Sequence, residues 1–151
     1  MPVLDHCRRR FATVTGDAVV RDVARRMAAE KIGYLVVVDA KQRPVGTLTD
    51  RDLAMQVLRR GRDPDETTVA EVMAHEPTTL WEDASLLTAF RRMRAEGLRR
   101  LPVVEGGGRL VGVLEWDDAL QVVATELERA ARTARAQWMG VAEGERARAR
   151  R

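Results

Sequence analysis

Val45-Gly46-Thr47-Leu48-Thr49-Asp50-Arg51-Asp52 and Val111-Gly112-Val113-Leu114-Glu115-Trp116-Asp117-Asp118 decide how the chain is read, because they are one segment written twice. Gly112 follows Gly46 by 66 residues, and Asp118 follows Asp52 by the same distance. That offset also aligns Asp17-Ala18 with Asp83-Ala84, Arg25-Arg26-Met27 with Arg91-Arg92-Met93, Ala29-Glu30 with Ala95-Glu96 and Val37-Val38 with Val103-Val104. It holds without a gap from Val3/Val69 to Val57/Val123. A register kept over that distance marks an internal duplication.

Each copy reads as the same βαββα string. A short extended piece, Ala12-Thr13-Val14 or Thr78-Thr79-Leu80, precedes Asp17 or Asp83, each placed where a helix N-cap belongs. The helix follows, with an apolar stripe at Val20, Val23, Ala24 and Met27, or Leu86, Ala89, Phe90 and Met93. The β-branched runs Leu35–Val38 and Leu101–Val104 predict strands covered on both faces. A polar or glycine-rich turn, a second strand over Pro44–Leu48 or Leu110–Leu114, and a second helix from near Asp50 or Trp116 complete the unit. The fold class is therefore α/β (α+β): repeat 1 over residues 1–62, repeat 2 over 63–125, packed by a pseudo-two-fold because one copy alone buries too little surface. Residues 126–151 form a C-terminal helical extension.

Composition narrows the function. Among 151 residues only 4% are aromatic, so the core is aliphatic. No apolar run approaches the roughly 18 residues that span a bilayer, and the first residues lack a signal-peptide core, so a cytoplasmic protein without a membrane role is expected. The single Cys7 excludes an internal disulfide, and with His6 and His75 it makes no metal-ligand spacing. Cys7 aligns with Met73 and reads as a small apolar plug. The net charge of +3 resides beyond residue 125, where seven arginines meet four glutamates; the body is neutral. A nucleic-acid partner is thus disfavoured, and no Ser/His/Asp or Cys/His constellation suggests an enzyme.

The strings Val69-Ala70-Glu71-Val72-Met73, Leu98-Arg99-Arg100-Leu101-Pro102-Val103-Val104, Leu110-Val111-Gly112-Val113-Leu114 and Gly46-Thr47-Leu48-Thr49-Asp50-Arg51-Asp52 resemble a CBS domain, in both copies and over about residues 3–125. The resemblance implies a CBS pair (a Bateman module) that forms a disc, often dimerises, and holds adenosine compounds in clefts between its copies. It implies regulation of a partner protein and no catalysis. The ligands it implies are AMP, ADP or ATP, with S-adenosylmethionine or NAD(H) less favoured.

Carried over residue by residue, cleft A combines Thr47, Thr49, Arg51 and Asp52 with Pro77, Thr78, Leu98 and Arg100. A carboxylate at Asp52 can accept from both ribose hydroxyls, while Thr49 and early-helix N–H groups suit a phosphate. Leu98 would meet adenine and Arg100 a phosphate. The alternatives are helix capping for Thr49 and Asp52 and plain solvation for Arg51 and Arg100. Gly46 would let a ligand approach the backbone. Cleft B takes the reciprocal positions Thr13, Ile32, Tyr34, Glu115 and Asp118. Glu115 replaces the threonine and Tyr34 stands where cleft A has Arg100; both changes disfavour phosphate. An asymmetric module is expected, with cleft B empty or holding an uncharged or cationic adenosine compound. Arg8-Arg9-Arg10 reads as a solvated run or as part of cleft B's rim.

Beyond Leu120, apolar residues at 120, 124, 127, 131, 134 and 138 alternate spacings of four and three, predicting a helix to about Trp138 that ends at Gly140, with no ordered structure from Glu143. That seam favours a homodimer. The rival reading is a scaffold with no ligand that dimerises and acts through this helix.

Overall fold

A computed structural model describes the backbone of residues 1–149 and the side-chain surroundings of residues 1–138. In repeat 1, β1 (Thr13–Thr15) lies parallel to β2 (Tyr34–Val38), which pairs antiparallel with β3 (Pro44–Thr49). Between β1 and β2 runs α1 (Val20–Glu30), and α2 starts at Asp50 and continues as a π-helical stretch over Leu53–Leu58. Two residues from beyond the linker, β4 (Ala74–His75), add to the edge of β3. Repeat 2 repeats the pattern with β5 (Leu80–Trp81), α3 (Leu86–Glu96), β6 (Arg100–Val104), β7 (Leu110–Glu115) and α4 (Trp116–Ala149). The two copies meet through Val36 and Val38 of β2 and Leu110 and Val113 of β7, with Phe11 and Tyr34 packed against them.

The two copies exchange their leading segments. Val3 sits fully buried with Leu80, Leu86, Met93 and Leu101, in the core of repeat 2. Val69, its partner by the 66-residue offset, sits fully buried with Val20, Val23, Leu35 and Leu48, in the core of repeat 1. Backbone hydrogen bonds seal each exchange: Val3 N donates to Ala84 O at 2.8 Å and Val69 N to Ala18 O at 2.9 Å. Burying a valine fully is worth roughly 1.5–3 kcal/mol, so each repeat depends on a segment covalently attached to the other.

This exchange explains the glycines. A Cβ on Gly46 would collide with Met73 Sδ and stand 2.9 Å from the Ala74 carbonyl oxygen; on Gly112 it would collide with Cys7 Sγ. The expectation that Gly46 admits a ligand is therefore corrected, since the arriving strand fills that space. Cys7 is the apolar plug that its alignment with Met73 indicates, packed on the repeat 2 core, and burial raises its thiol pKa.

Three local expectations are also corrected. Asp17 and Asp83 do not cap their helices. The N-cap of α3 is Ser85, whose hydroxyl accepts from Thr88 N at 3.1 Å. The N-cap of α1 is Val19, whose side chain has no acceptor; linker carbonyls take over, Thr67 O accepting from Val20 N at 3.0 Å and Pro64 O from Arg21 N at 3.1 Å. Asp17 instead bonds the Thr15 side chain, which lowers its pKa. Finally, α4 passes through Gly140 and reaches Ala149, well into the stretch expected to lack order; residues 150 and 151 lie outside the described residues. The alanine, arginine and glutamate flanks are strong helix formers and outweigh the roughly 1 kcal/mol cost of an interior glycine. Trp81 is exposed, whereas Trp116 packs edge-on against Phe90 with ring centres 5.0 Å apart.

Because a backbone carbonyl gives way less readily than a side chain, Gly46→Ala should destabilise the protein by about 1–3 kcal/mol and by more than Gly112→Ala. Urea denaturation checks both; an unchanged midpoint for Gly46→Ala would contradict the exchange as the source of the glycine.

Candidate functional site: two unequal clefts

Cleft A opens between the end of β3 and the start of α2 on one side and the segment before β5 and the exit of α3 on the other. Its volume is ≈ 640 Å³, within the usual range for small-molecule sites. Thr47, Thr49, Arg51, Asp52, Pro77, Thr78, Leu98 and Arg100 all line it. Sequence reasoning missed further lining residues, chiefly His75 and Glu96. His75 arrives on β4, whose pairing with Gly46 is not written in any local pattern. Glu96 accepts from the Thr78 hydroxyl.

Thr49 and Asp52 form a reciprocal cap on α2. Asp52 N donates to Thr49 Oγ1 at 3.1 Å, while Thr49 N and its hydroxyl donate to Asp52 Oδ2 at 2.8 and 2.7 Å. Capping and binding are compatible here, because both bonds to the Asp52 carboxylate use Oδ2 and Oδ1 enters none of the described hydrogen bonds. Arg51 has no ion-pair partner among the described residues. Leu98 is 37% exposed and offers an apolar face to the cleft.

Cleft B is smaller, ≈ 210 Å³, below the usual range. Ile32, Tyr34 and Glu115 line it, but Thr13 and Asp118 do not. The true counterpart of Thr78 by the 66-residue offset is Ala12, which does line the cleft; side chains alternate along an extended segment, so its neighbour Thr13 points elsewhere. Asp118 stands behind Arg8, accepting from Arg8 Nε at 2.6 Å and Nη2 at 3.1 Å.

Arg8 accounts for the difference in size. Its counterpart by the offset is Ala74, which lines cleft A with only a methyl group. Both residues arrive on the exchanged segments, Arg8 bridging to Val113 and Ala74 pairing with Thr47. In cleft B the long guanidinium chain fills the space, with Nη1 3.3 Å from Glu115 Oε1. Arg10, Lys31 and Arg100 also line this cleft. Glu115 is thus the one carboxylate of a cleft lined by four cationic side chains, two of which, Arg8 and Arg100, pair with it.

The clefts share a wall. Tyr34 and Arg100, related by the pseudo-two-fold, line both, and the Arg100 guanidinium lies 5.3 Å from the centre of the Tyr34 ring. The Tyr34 hydroxyl is buried with no hydrogen-bond partner, and burial raises its pKa. Arg100 Nε also stands 3.3 Å from Glu115 Oε1, so this arginine is not committed to cleft A.

Two exchanged βαββα repeats with clefts at the β3–α2 and β7–α4 junctions define a tandem CBS pair. The CBS domain family matches residues 3–59 and 69–125, and the chain belongs to that family. Among curated relatives, it is 34% identical over 116 residues to the CBS domain-containing protein YhcV of Bacillus subtilis, covering 77% of this chain and 81% of that protein. It is 35% identical over 115 residues to the uncharacterized protein MK0525 of Methanopyrus kandleri, of which it spans 59%, and it spans 21% of the CBS domain-containing protein CBSCBSPB3 of Arabidopsis thaliana. Among solved structures, CBSX2 of Arabidopsis thaliana superposes with a TM-score of 0.73 at 25% identity, covering 85% of this chain and 96% of that one. CBSX2 has also been solved in complex with AMP, with a TM-score of 0.70 to this chain. The described residues contain no helix long and apolar enough to cross a membrane and no group of three or more His, Cys, Asp or Glu side chains arranged to hold a metal ion.

A buried hydroxyl without a partner is a cost that phenylalanine does not carry. Tyr34→Phe should therefore leave stability unchanged or raise it by up to about 1 kcal/mol. A loss of more than that in chemical denaturation would show that the hydroxyl is bonded after all.

Proposed function

We propose that the chain is a regulatory module that binds one adenosine nucleotide in cleft A and transmits that state to a partner protein, without catalysis of its own. The observation that carries this reading is the gathering of Thr47, Thr49, Arg51, Asp52, Pro77, Thr78, Leu98 and Arg100 around a single cleft of ≈ 640 Å³. Asp52 Oδ1 supplies an acceptor for ribose hydroxyls, Leu98 and Pro77 an apolar surface for the base, and Arg51, Arg100 and the first N–H groups of α2 a setting for phosphate. AMP in the related CBSX2 supports an adenine ligand. AMP, ADP and ATP fit the combination of ribose acceptor and cations better than S-adenosylmethionine, whose sulfonium would face Arg100; NAD(H) is the longer alternative. Cleft B, narrowed by Arg8, holds no nucleotide.

The scaffold reading draws on a different observation. Leu120, Val123, Leu127 and Trp138 lie exposed along α4, and Leu58 and Leu87 are exposed on the helices of each repeat. We propose that a second copy covers them, so that the module works as a homodimer.

Titration calorimetry with AMP, ADP, ATP, S-adenosylmethionine and NADH should find one site per chain for at least one of the nucleotides. Asp52→Ala should weaken it by at least about tenfold, the worth of a charged hydrogen bond; no binding by any of the five, or binding indifferent to Asp52, would move the function to the scaffold. Light scattering should give twice the chain mass at micromolar concentration and the single-chain mass for Leu120→Glu/Leu127→Glu. A wild-type monomer would remove the dimer.

A further inference from the structure

We propose that Glu115, a residue of cleft B, sets how firmly cleft A holds a phosphate, by competing for Arg100. The inference rests on the nucleotide reading of cleft A. Arg100 and Glu115 face each other across β6 and β7, and their pseudo-two-fold counterparts across β2 and β3 are Tyr34 and Thr49. The duplication has thus placed an ion pair in one copy where the other has a neutral pair, and the two pairs touch where Arg100 lies over Tyr34.

Arg100 matters to cleft A because few cations are available there. Four carboxylates line the cleft against three guanidiniums, and one of those, on Arg99, already pairs with Asp117 at 3.0 Å. That leaves Arg51 and Arg100 for a phosphate, which is held more firmly when Arg100 turns toward it. In the described state Arg100 is drawn the other way, to Glu115 Oε1.

That same oxygen also receives Arg8, at an equal 3.3 Å, and Arg8 is independently anchored on Asp118. When Arg100 turns away, Glu115 keeps a cation. Releasing Arg100 consequently costs less than breaking a lone buried pair would, yet it still costs something. Glu115 is a positioning residue. It reduces the affinity of cleft A for phosphorylated ligands and leaves an uncharged nucleoside untouched.

The test is calorimetric titration of AMP and of adenosine into the full chain as wild type, Glu115→Gln, Arg100→Gln and the double variant. Glu115→Gln should tighten AMP by about three- to tenfold, as expected for removing a partly exposed ion-pair competitor. Adenosine should change by less than about twofold, and the AMP gain should vanish in the Arg100→Gln background, as for two coupled residues. AMP affinity unchanged or weakened by Glu115→Gln overturns the proposal while leaving the nucleotide site standing. A gain that persists without Arg100 overturns it in favour of a plain long-range charge, and a parallel change in adenosine overturns it in favour of a structural role. No binding of either compound to any of the four proteins overturns it together with the nucleotide reading on which it rests.

Discussion

Everything in this fold hangs on a reciprocal exchange: residues 3–8 dock on repeat 2 and residues 67–75 dock on repeat 1. Each repeat alone has a three-stranded sheet with a helix layer, and each lacks one fully buried valine and one sheet-edge residue pair that only the other copy's leading segment supplies. The glycines at 46 and 112 are there because the arriving side chains, Met73 and Cys7, occupy the space where a Cβ would stand. Two small units that would be marginal apart become one folding unit, because each core contains chain from both.

The exchange also builds the clefts. The same segment that fills repeat 1's core delivers Ala74 and His75 to the rim of cleft A, and the segment that fills repeat 2's core delivers Arg8 to cleft B. A methyl group at one position and a guanidinium at its counterpart separate an open site from a narrow one. The asymmetry of the module thus originates less in the motif residues of β3 and β7 than in what the exchanged segments carry past them. Arg100 and Tyr34, on the shared wall, belong to both clefts.

Much of this was legible in the sequence and some was not, for definite reasons. The repeat, the strands at Leu35–Val38 and Leu101–Val104 and the helix stripes are local periodicities, and they appear where expected except at Ala24, which is exposed while Val20, Val23 and Met27 are buried. Cleft A was legible as a set because the two copies share one register, so the motif at Gly46–Asp52 could be matched with the helix exit at Leu98–Arg100. The exchange was not legible, since Val3 and Val69 align with each other and nothing local says that each belongs to the opposite core. The rim role offered for Arg8-Arg9-Arg10 holds for Arg8 and Arg10, which line cleft B, whereas Lys31 and the pairing of Arg8 with Glu115 and Asp118 join distant stretches of chain that no local pattern links. Choosing Thr13 over Ala12 was an error of one residue in an extended segment, where one residue is enough to turn a side chain to the other face. Gly140 was read as a stop from its residue type, whereas its helix-forming neighbours decide the outcome.

If the two clefts are chemically unequal and cleft A takes the ligand, a crystal grown with AMP holds one AMP per chain, its ribose within hydrogen-bond distance of Asp52 Oδ1, its base against Leu98, and Arg8 still bridging Glu115 and Asp118 in cleft B. AMP seated in cleft B against Lys31 and Arg10, with Arg8 displaced and cleft A empty, would contradict that assignment.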